Sequence, residues 1–268
     1  SHNPTEKFIK SKYLSFCFQK NLFLNFDFGI YYDRESIKDT FTPTFIESSK
    51  ETRSINQLMS DQVYISFQLF NQIIEAYTSA RFSFFHASSS NTSKYDKLIR
   101  YSYTYDGIRH SYHSGLLKQV FCYLYNILDK IAHLVYGYFN VNQIKQNKDI
   151  YFNSLLSSDF KKIVTTQHNY QLLALINLAL DFEKGYEFYF LRSYRNKITH
   201  SFLNTKIDIF LTATENEHEV TEENLLAYTE KMFFIVKCAI MYSTLALSHQ
   251  KNQESSLLNP ILFQKDIF

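Results

Sequence analysis

The chain has no tryptophan, only five glycines and three prolines in 268 residues, and three cysteines. So few turn formers leave few tight reversals, which argues against a sandwich or barrel of many short strands and for long helices. Cys17, Cys122 and Cys238 share no close spacing and each lies in an apolar, helix-like run. They are expected to be buried free thiols in a reducing compartment, with no metal or disulfide role. Neither charge dominates: 28 Lys+Arg against 26 Asp+Glu give a formal +2. Binding of nucleic acid must then come from a local basic patch or a symmetric assembly. A Gly-rich phosphate loop, a Gly-x-Ser-x-Gly elbow, His-Glu-x-x-His and Cys-x-x-Cys are all missing, which removes the common nucleotide, hydrolase and zinc signatures. No charged-then-apolar leader opens the chain, and no uninterrupted apolar run approaches the ~18 residues of a membrane span. A soluble, cytoplasmic protein without membrane contact is expected. The start at Ser1-His2-Asn3-Pro4, without Met, leads us to expect a tag scar or an excised piece of a longer protein, with a domain upstream.

Aromatic residues are abundant instead, with 26 Phe and 21 Tyr making up the whole of an 18% aromatic content. A first helix is predicted over residues 5–20, followed by an irregular, aromatic wrap to Arg53 that docks on a helical bundle. Ser54 caps a second helix running to about Ala87, with Phe67, Phe70, Ile74, Tyr77, Arg81 and Phe84 at helical spacing. After the Ser/Asn loop at 88–93, the stretch 94–112 carries Arg100, Arg109, His110 and, just beyond, His113. These read as a solvated connection, since the histidines lack the spacing and acidic third ligand of a metal site. The strongest amphipathic pattern spans Ser114 to Phe139, with Asp129 and Lys130 on its polar side. Further helices are predicted over Asn169–Glu183, Tyr186–Leu203 and from Thr221 to about residue 249, with a short strand at Ile207–Leu211. The fold class is therefore all-α: a bundle of about five to six long amphipathic helices with an irregular N-terminal wrap. Its organisation reads as 1–53 wrap, 54–249 helical domain and 250–268 tail.

The chemistry concentrates in Arg195-Asn196-Lys197-Ile198-Thr199-His200. At 100° per residue Leu191, Tyr194, Ile198 and Phe202 fall in one arc that should face the core, with Arg195 at its edge. Arg192, Asn196 and His200 form an i, i+4, i+8 row on the other side, placing Asn196 within reach of the His200 ring. A guanidinium to clamp phosphate, an imidazole to move a proton and an amide to orient that imidazole form a set able to cleave RNA without a metal. One copy supplies few cations, so two copies about a two-fold axis are expected to share one groove. A second Arg-x4-His match, Arg81 to His86, has core-type residues between its ends and reads mainly as structure, although Arg81 is also a candidate RNA contact from across the cleft. Asp129 and Lys130 are candidate supporting residues, Asp129 by pairing with Arg195 or orienting His200.

The motif Arg195-Asn196-x3-His200 resembles the signature of the HEPN superfamily: Arg, a polar residue that is often Asn, three or more residues, then His. The segments Tyr77–Arg81, Leu116–Lys118 and Tyr125–Ala132 precede it in the order found in a bacterial branch where HEPN follows a TPR-like region. The resemblance implies an all-helical, dimeric, metal-independent endoribonuclease, needing no cofactor and acting as a toxin or effector in phage defence or stress. By it, Arg195 stabilises the transition-state phosphate, His200 moves the proton as the ribose 2′-hydroxyl attacks, and Asn196 orients the phosphate or the imidazole. Arg192, Lys197 and Arg81 are expected RNA contacts. The tyrosine that HEPN toxins silenced by nucleotidylation carry two places after the histidine is Phe202 here, which argues against that regulation. The alternative is a non-catalytic nucleotide- or RNA-binding or dimerisation module. Partners expected on either reading are RNA, a second copy, and an upstream sensor domain or an antitoxin.

Overall fold

The computed structural model of the chain describes residues 11–25, 38–41, 62–88, 93–97, 108, 110–139, 149–206 and 218–249. Among them are eight α-helices and one 3-10 helix, with a single pair of short strands: α1 (Lys12–Gln19), α2 (Gln62–Ala87), α3 (Ser93–Asp96), α4 (Tyr112–Tyr138), the 3-10 turn Phe152–Leu156, α5 (Ser158–Gln167), α6 (Tyr170–Leu180), α7 (Tyr189–His200), β1 (Asn204–Lys206), β2 (Glu219–Thr221) and α8 (Glu222–His249). The fold is all-α, as the scarcity of Gly and Pro implied.

The axis of the bundle is α4. Ser111 stops the preceding chain in an extended conformation, and its Oγ accepts a 3.0 Å bond from Ser114 N, satisfying one of the orphan amides of the first turn. Leu117, Val120, Phe121, Leu124, Leu128, Ile131 and Val135 then recur at three- and four-residue steps and are all buried, so one face meets α2 and another meets α8. α8 is long and apolar enough to cross a membrane by length and composition alone. About two-thirds of that stretch is buried inside the protein, however, and it packs on α4 and α6 as a core helix.

The described N-terminal residues pack on α2. Tyr77 Oη donates to Leu22 O at 3.1 Å. Arg81, only 5% exposed, forms a two-pronged pair with Asp39, Nη1 to Oδ1 and Nη2 to Oδ2 both at 2.8 Å, and also donates to Leu22 O and the Tyr13 hydroxyl. Burial opposes the Arg81 charge, but the hydrogen bonds and charge of Asp39 outweigh it and hold its pKa up. Cys17 is fully buried and Cys238 nearly so, while Cys122 is half-buried; all three are free thiols.

Several expectations need amending. The 3-10 turn and α5 lie between the predicted helices Ser114–Phe139 and Asn169–Glu183, where no element was expected; α5 contributes only Phe160 and Val164 to the core, too few apolar positions to set a period. The one-turn α3 was likewise not foreseen. The motif helix is shorter than predicted: it ends at His200, and Ser201 leaves helical geometry (φ −141°, ψ −127°). Phe202 is therefore not in the core arc. It is 57% exposed, with its ring stacked on His218 at 4.7 Å. The predicted strand at Ile207–Leu211 and the predicted helical residues 5–10 and 54–61 lie outside the described residues, as do Arg100 and Arg109. The strands that are described pair in parallel with Thr205 opposite Val220, and Lys206 closes a 2.6 Å ion pair to Glu219.

Candidate functional site

The site is built from the turn that launches α7. Leu180 ends α6, and the chain reverses through Gly185, whose φ of +95° suits a residue without a side chain. The bond from Phe188 N to Asp181 O, 2.7 Å, closes this reversal. Inside it Phe182 is buried and meets three rings edge-on: Tyr125 of α4 at 5.7 Å, Phe152 at 6.1 Å and Phe188 at 5.7 Å. Phe182 thereby fixes Tyr125, and burial pushes the Tyr125 phenol up to about 12. On the other flank Phe190 and Tyr194 of α7 pack on Tyr228 of α8, at 5.0 and 5.3 Å.

Arg195 lies over the Tyr125 ring, 5.4 Å from guanidinium carbon to ring centre. Its Nη1 donates to Asn196 Oδ1 at 3.2 Å, while its buried Nε has no acceptor. One turn on, Thr199 Oγ1 donates back to Arg195 O at 2.9 Å and lies 3.8 Å from Cys122 Sγ of α4. Arg195 therefore occupies the seam between α7 and α4, at the edge of the core arc where the helical wheel had placed it. Of the three arginines among the described residues, Arg81 and Arg192 each close a 2.8 Å ion pair and Arg195 closes none.

Asp129 is half-buried one turn along α4 from Tyr125. It does not orient His200 through any hydrogen bond; its Oδ1 accepts from Phe152 N at 2.8 Å. Burial raises its pKa, against the Phe152 bond, the Arg195 charge and His133. Asp129 and Arg195 thus feel one another without closing an ion pair. Lys130 is half-buried beside it on α4. The exposed Tyr151 donates to Asp149 at 3.3 Å, and its phenol is raised chiefly by Asp149, with smaller influences from Asp129 and Arg195. An Asp129→Asn variant is expected to stabilise the fold at neutral pH, because the amide oxygen still accepts from Phe152 N and the buried charge is gone. Folding raises this carboxyl's pKa, so its penalty is complete above the raised value and disappears below the ordinary value of about 4. In denaturant titrations the advantage of the variant should shrink as pH falls from neutral towards about 4. An advantage that grows on acidification would contradict this account.

Across α7 from Arg195, an open groove of about 450 Å³ is lined by Lys184, Tyr189, Arg192, Ser193, Asn196 and Lys197, with Glu183 at its edge. Arg192 Nη1 donates to Glu183 Oε1 at 2.8 Å. Lys197 lies 5.8 Å from the Tyr194 ring centre. Asn196 lines the groove and also holds Arg195, so it links the two sides of the helix. Its carbonyl oxygen turns to the neighbouring guanidinium and not to the imidazole, contrary to the expected Asn196–His200 contact. His200 is exposed at the C-terminal end of α7, and among the described residues no hydrogen bond or ion pair holds its ring.

Arg81 is not brought to this groove. Its guanidinium is enclosed by Asp39, Tyr13 and Leu22, which corrects the expectation that it contacts RNA; a buried fork already matched to a carboxylate has no face left for a phosphate. His86 packs against Phe82 and Phe85, at 4.5 and 5.7 Å. His113 joins Ala87 O to Glu222, with Nε2 3.0 Å from Oε1, so it fastens α2, α4 and α8 together. Among the described residues no group of three or more His, Cys, Asp or Glu side chains converges as a metal site would require.

Sequence reasoning missed Tyr125, Glu183 and Tyr151. The first had a usable signal, since Tyr125 lies four residues before Asp129 and so on the same face of its helix. Glu183 had none, because Gly185 breaks the periodicity between it and Arg192.

No curated protein and no solved structure matches the chain. A family model described as LA2681-like HEPN matches residues 57–250, a span from just ahead of α2 to the end of α8 that contains the whole motif helix and its supports. With roughly three-quarters of its length in that match, this chain belongs to the LA2681-like HEPN family.

Proposed function

We propose that the protein is a metal-independent endoribonuclease in which Arg195, Asn196 and His200 carry the reaction. The observation that carries this reading is the state of Arg195: stacked on Tyr125, steadied by Asn196, yet closing no ion pair among the described residues. A cation fixed from behind and unneutralised in front is suited to a phosphodiester whose charge grows in the transition state. The ribose 2′-hydroxyl attacks phosphorus as His200 takes its proton; the bond to the 5′ oxygen breaks, and that oxygen leaves with a proton given by a protonated imidazole, that of His200 or of its counterpart in a second copy. Arg195 Nη2 and Asn196 Nδ2, which have no protein acceptor among the described residues, donate to the non-bridging oxygens. Arg192 and Lys197 hold the flanking backbone. All the charge stabilisation and proton transfer this step needs can come from side chains.

Arg195 and His200 are separated by about 140° around α7 and about 7.5 Å along it, so one copy presents them on different sides. Two copies meeting along α7 would set the histidine of one near the arginine of the other, and a homodimer is part of the proposal. The family resemblance supports a role as a cytoplasmic toxin or effector in defence or stress, coupled to an upstream TPR-like sensor or an antitoxin. The rival reading is a binding or dimerisation module that does not cut, favoured by the lack, among the described residues, of a side chain hydrogen-bonded to His200. Incubation with RNA in excess EDTA separates the two. Cleavage should persist and leave 2′,3′-cyclic phosphate ends, detected by mass spectrometry. Activity that EDTA abolishes and Mg²⁺ restores would refute a metal-free mechanism, and binding without any cut would favour the module.

A further inference from the structure

The groove on the outer side of α7 holds more than the motif uses. Among the described residues that line it are three cations, Lys184, Arg192 and Lys197, and one carboxylate, Glu183, which is engaged with Arg192. Tyr189 lines the same groove at the first turn of α7. It is 40% exposed, and among the described residues nothing hydrogen-bonds its hydroxyl. The protein buries Tyr77 and Tyr136 and gives their hydroxyls acceptors, whereas this ring is left in water beside three cations. A bare aromatic face with flanking cations suits a nucleobase and its phosphate, since every base stacks and every linkage carries charge. The groove, about 450 Å³, has room for one nucleotide, within the usual range of about 300–1,000 Å³ for small-ligand sites.

We propose that this groove is a subsite for one unpaired RNA nucleotide next to the cut phosphate. The base stacks on Tyr189, and the phosphate displaces Glu183 from Arg192, with Lys184 and Lys197 on either side. Arg192 and Glu183 are each about one-third exposed (33% and 34%), so their pair is open to water and to a competing anion. A phosphodiester offers the guanidinium the same two-oxygen acceptor as the carboxylate does. Glu183 is then an internal competitor that occupies Arg192 until RNA arrives. A base enclosed in a duplex has no free face for Tyr189, so the subsite selects single-stranded loops. Asn196 lies both in the groove and against Arg195, so a nucleotide seated there adjoins the reacting phosphate.

This inference rests on the ribonuclease reading and is tested so that the two fail separately. Binding of a short fluorescein-labelled single-stranded RNA is followed by anisotropy in the His200→Ala protein, where cutting does not interfere. Adding Tyr189→Ala should weaken binding about tenfold, while Tyr189→Phe, which keeps the ring, should restore it to within about twofold. Adding Glu183→Gln should tighten binding about three- to tenfold. Unchanged affinity in Tyr189→Ala, or equal loss in Tyr189→Phe, overturns the stacking role. Unchanged or weaker binding in Glu183→Gln overturns the competition. If the wild type cuts RNA while these variants bind alike, the subsite alone is wrong; if the variants respond as stated and the wild type cuts nothing, the subsite stands and the catalytic reading falls.

Discussion

Cleavage by the Arg195→Ala protein is expected to drop about 10²- to 10³-fold, the loss usual for removing one positioned donor to a developing anion. His200→Ala should lose on the order of 10²- to 10⁴-fold, the contribution of a proton-transfer group. The two losses should not multiply in the double variant, because both residues act on one step. Neither change threatens the fold. His200 is exposed, and Arg195 gives up a ring contact worth about 1 kcal/mol while its Nε, now without an acceptor, is removed. Arg195→Lys should rescue little. An ammonium keeps the charge but cannot lie flat on Tyr125 and at once donate to Asn196 and to a phosphate, as the planar fork can. Folding should be checked by circular dichroism beside the assay. Folded Arg195→Ala protein that cuts RNA at the wild-type rate would remove this residue from the mechanism and place the reaction on other side chains.

Arg81→Ala should act on stability. Removing one member of a buried, two-pronged ion pair leaves the other unmatched, at a cost of about 3–5 kcal/mol. Asp39 keeps a water-facing edge, its side chain being 28% exposed, so the lower end of that range, roughly 3 kcal/mol, is the better expectation. For a domain of this size the shift in Tm is roughly 6–12 °C. The Tyr13 hydroxyl loses its donor at the same time, and Asp39, which also accepts from Leu24 N at 2.7 Å, is no longer held by a guanidinium. The paired replacement Arg81→Met with Asp39→Leu should recover much of the loss, since no stranded charge remains. Thermal melts of the three proteins provide the check. An Arg81→Ala protein that melts like wild type but binds RNA less well would return Arg81 to the groove.

These two arginines also show what was legible in the sequence. Both open an Arg-x4-His match, and spacing alone cannot separate them. Arg195 was distinguished by the polar residues between it and His200, and the helical wheel placed it at the core edge, where it lies. The role of Arg81 is set by Asp39, which is 42 positions away in a stretch with no periodicity, so only the folded chain reveals it. The long helices were readable because apolar side chains at three- and four-residue steps must share a buried face. α5, with two buried apolar residues, offered too short a stripe. The orientation of Asn196 was unreadable for another reason: a wheel treats side chains as radial spokes, whereas a short amide can bend along the helix to its next-door neighbour.

The motif helix also differs from its supports in how deeply it is held. α7 contains one buried residue, Leu191, whereas α4 contains twelve. Its first turn has no side-chain cap, and its last residue is His200 itself. Releasing α7 from the bundle would expose little apolar surface, while releasing α4 would dismantle the core, so opening the first requires far less free energy than unfolding the domain. Local opening at α7 is thereby uncoupled from global stability. The groups proposed to cut RNA ride on the element that can be displaced most cheaply, and on that proposal a partner would have only to shift twelve residues to disarm the site while the rest of the molecule stays folded.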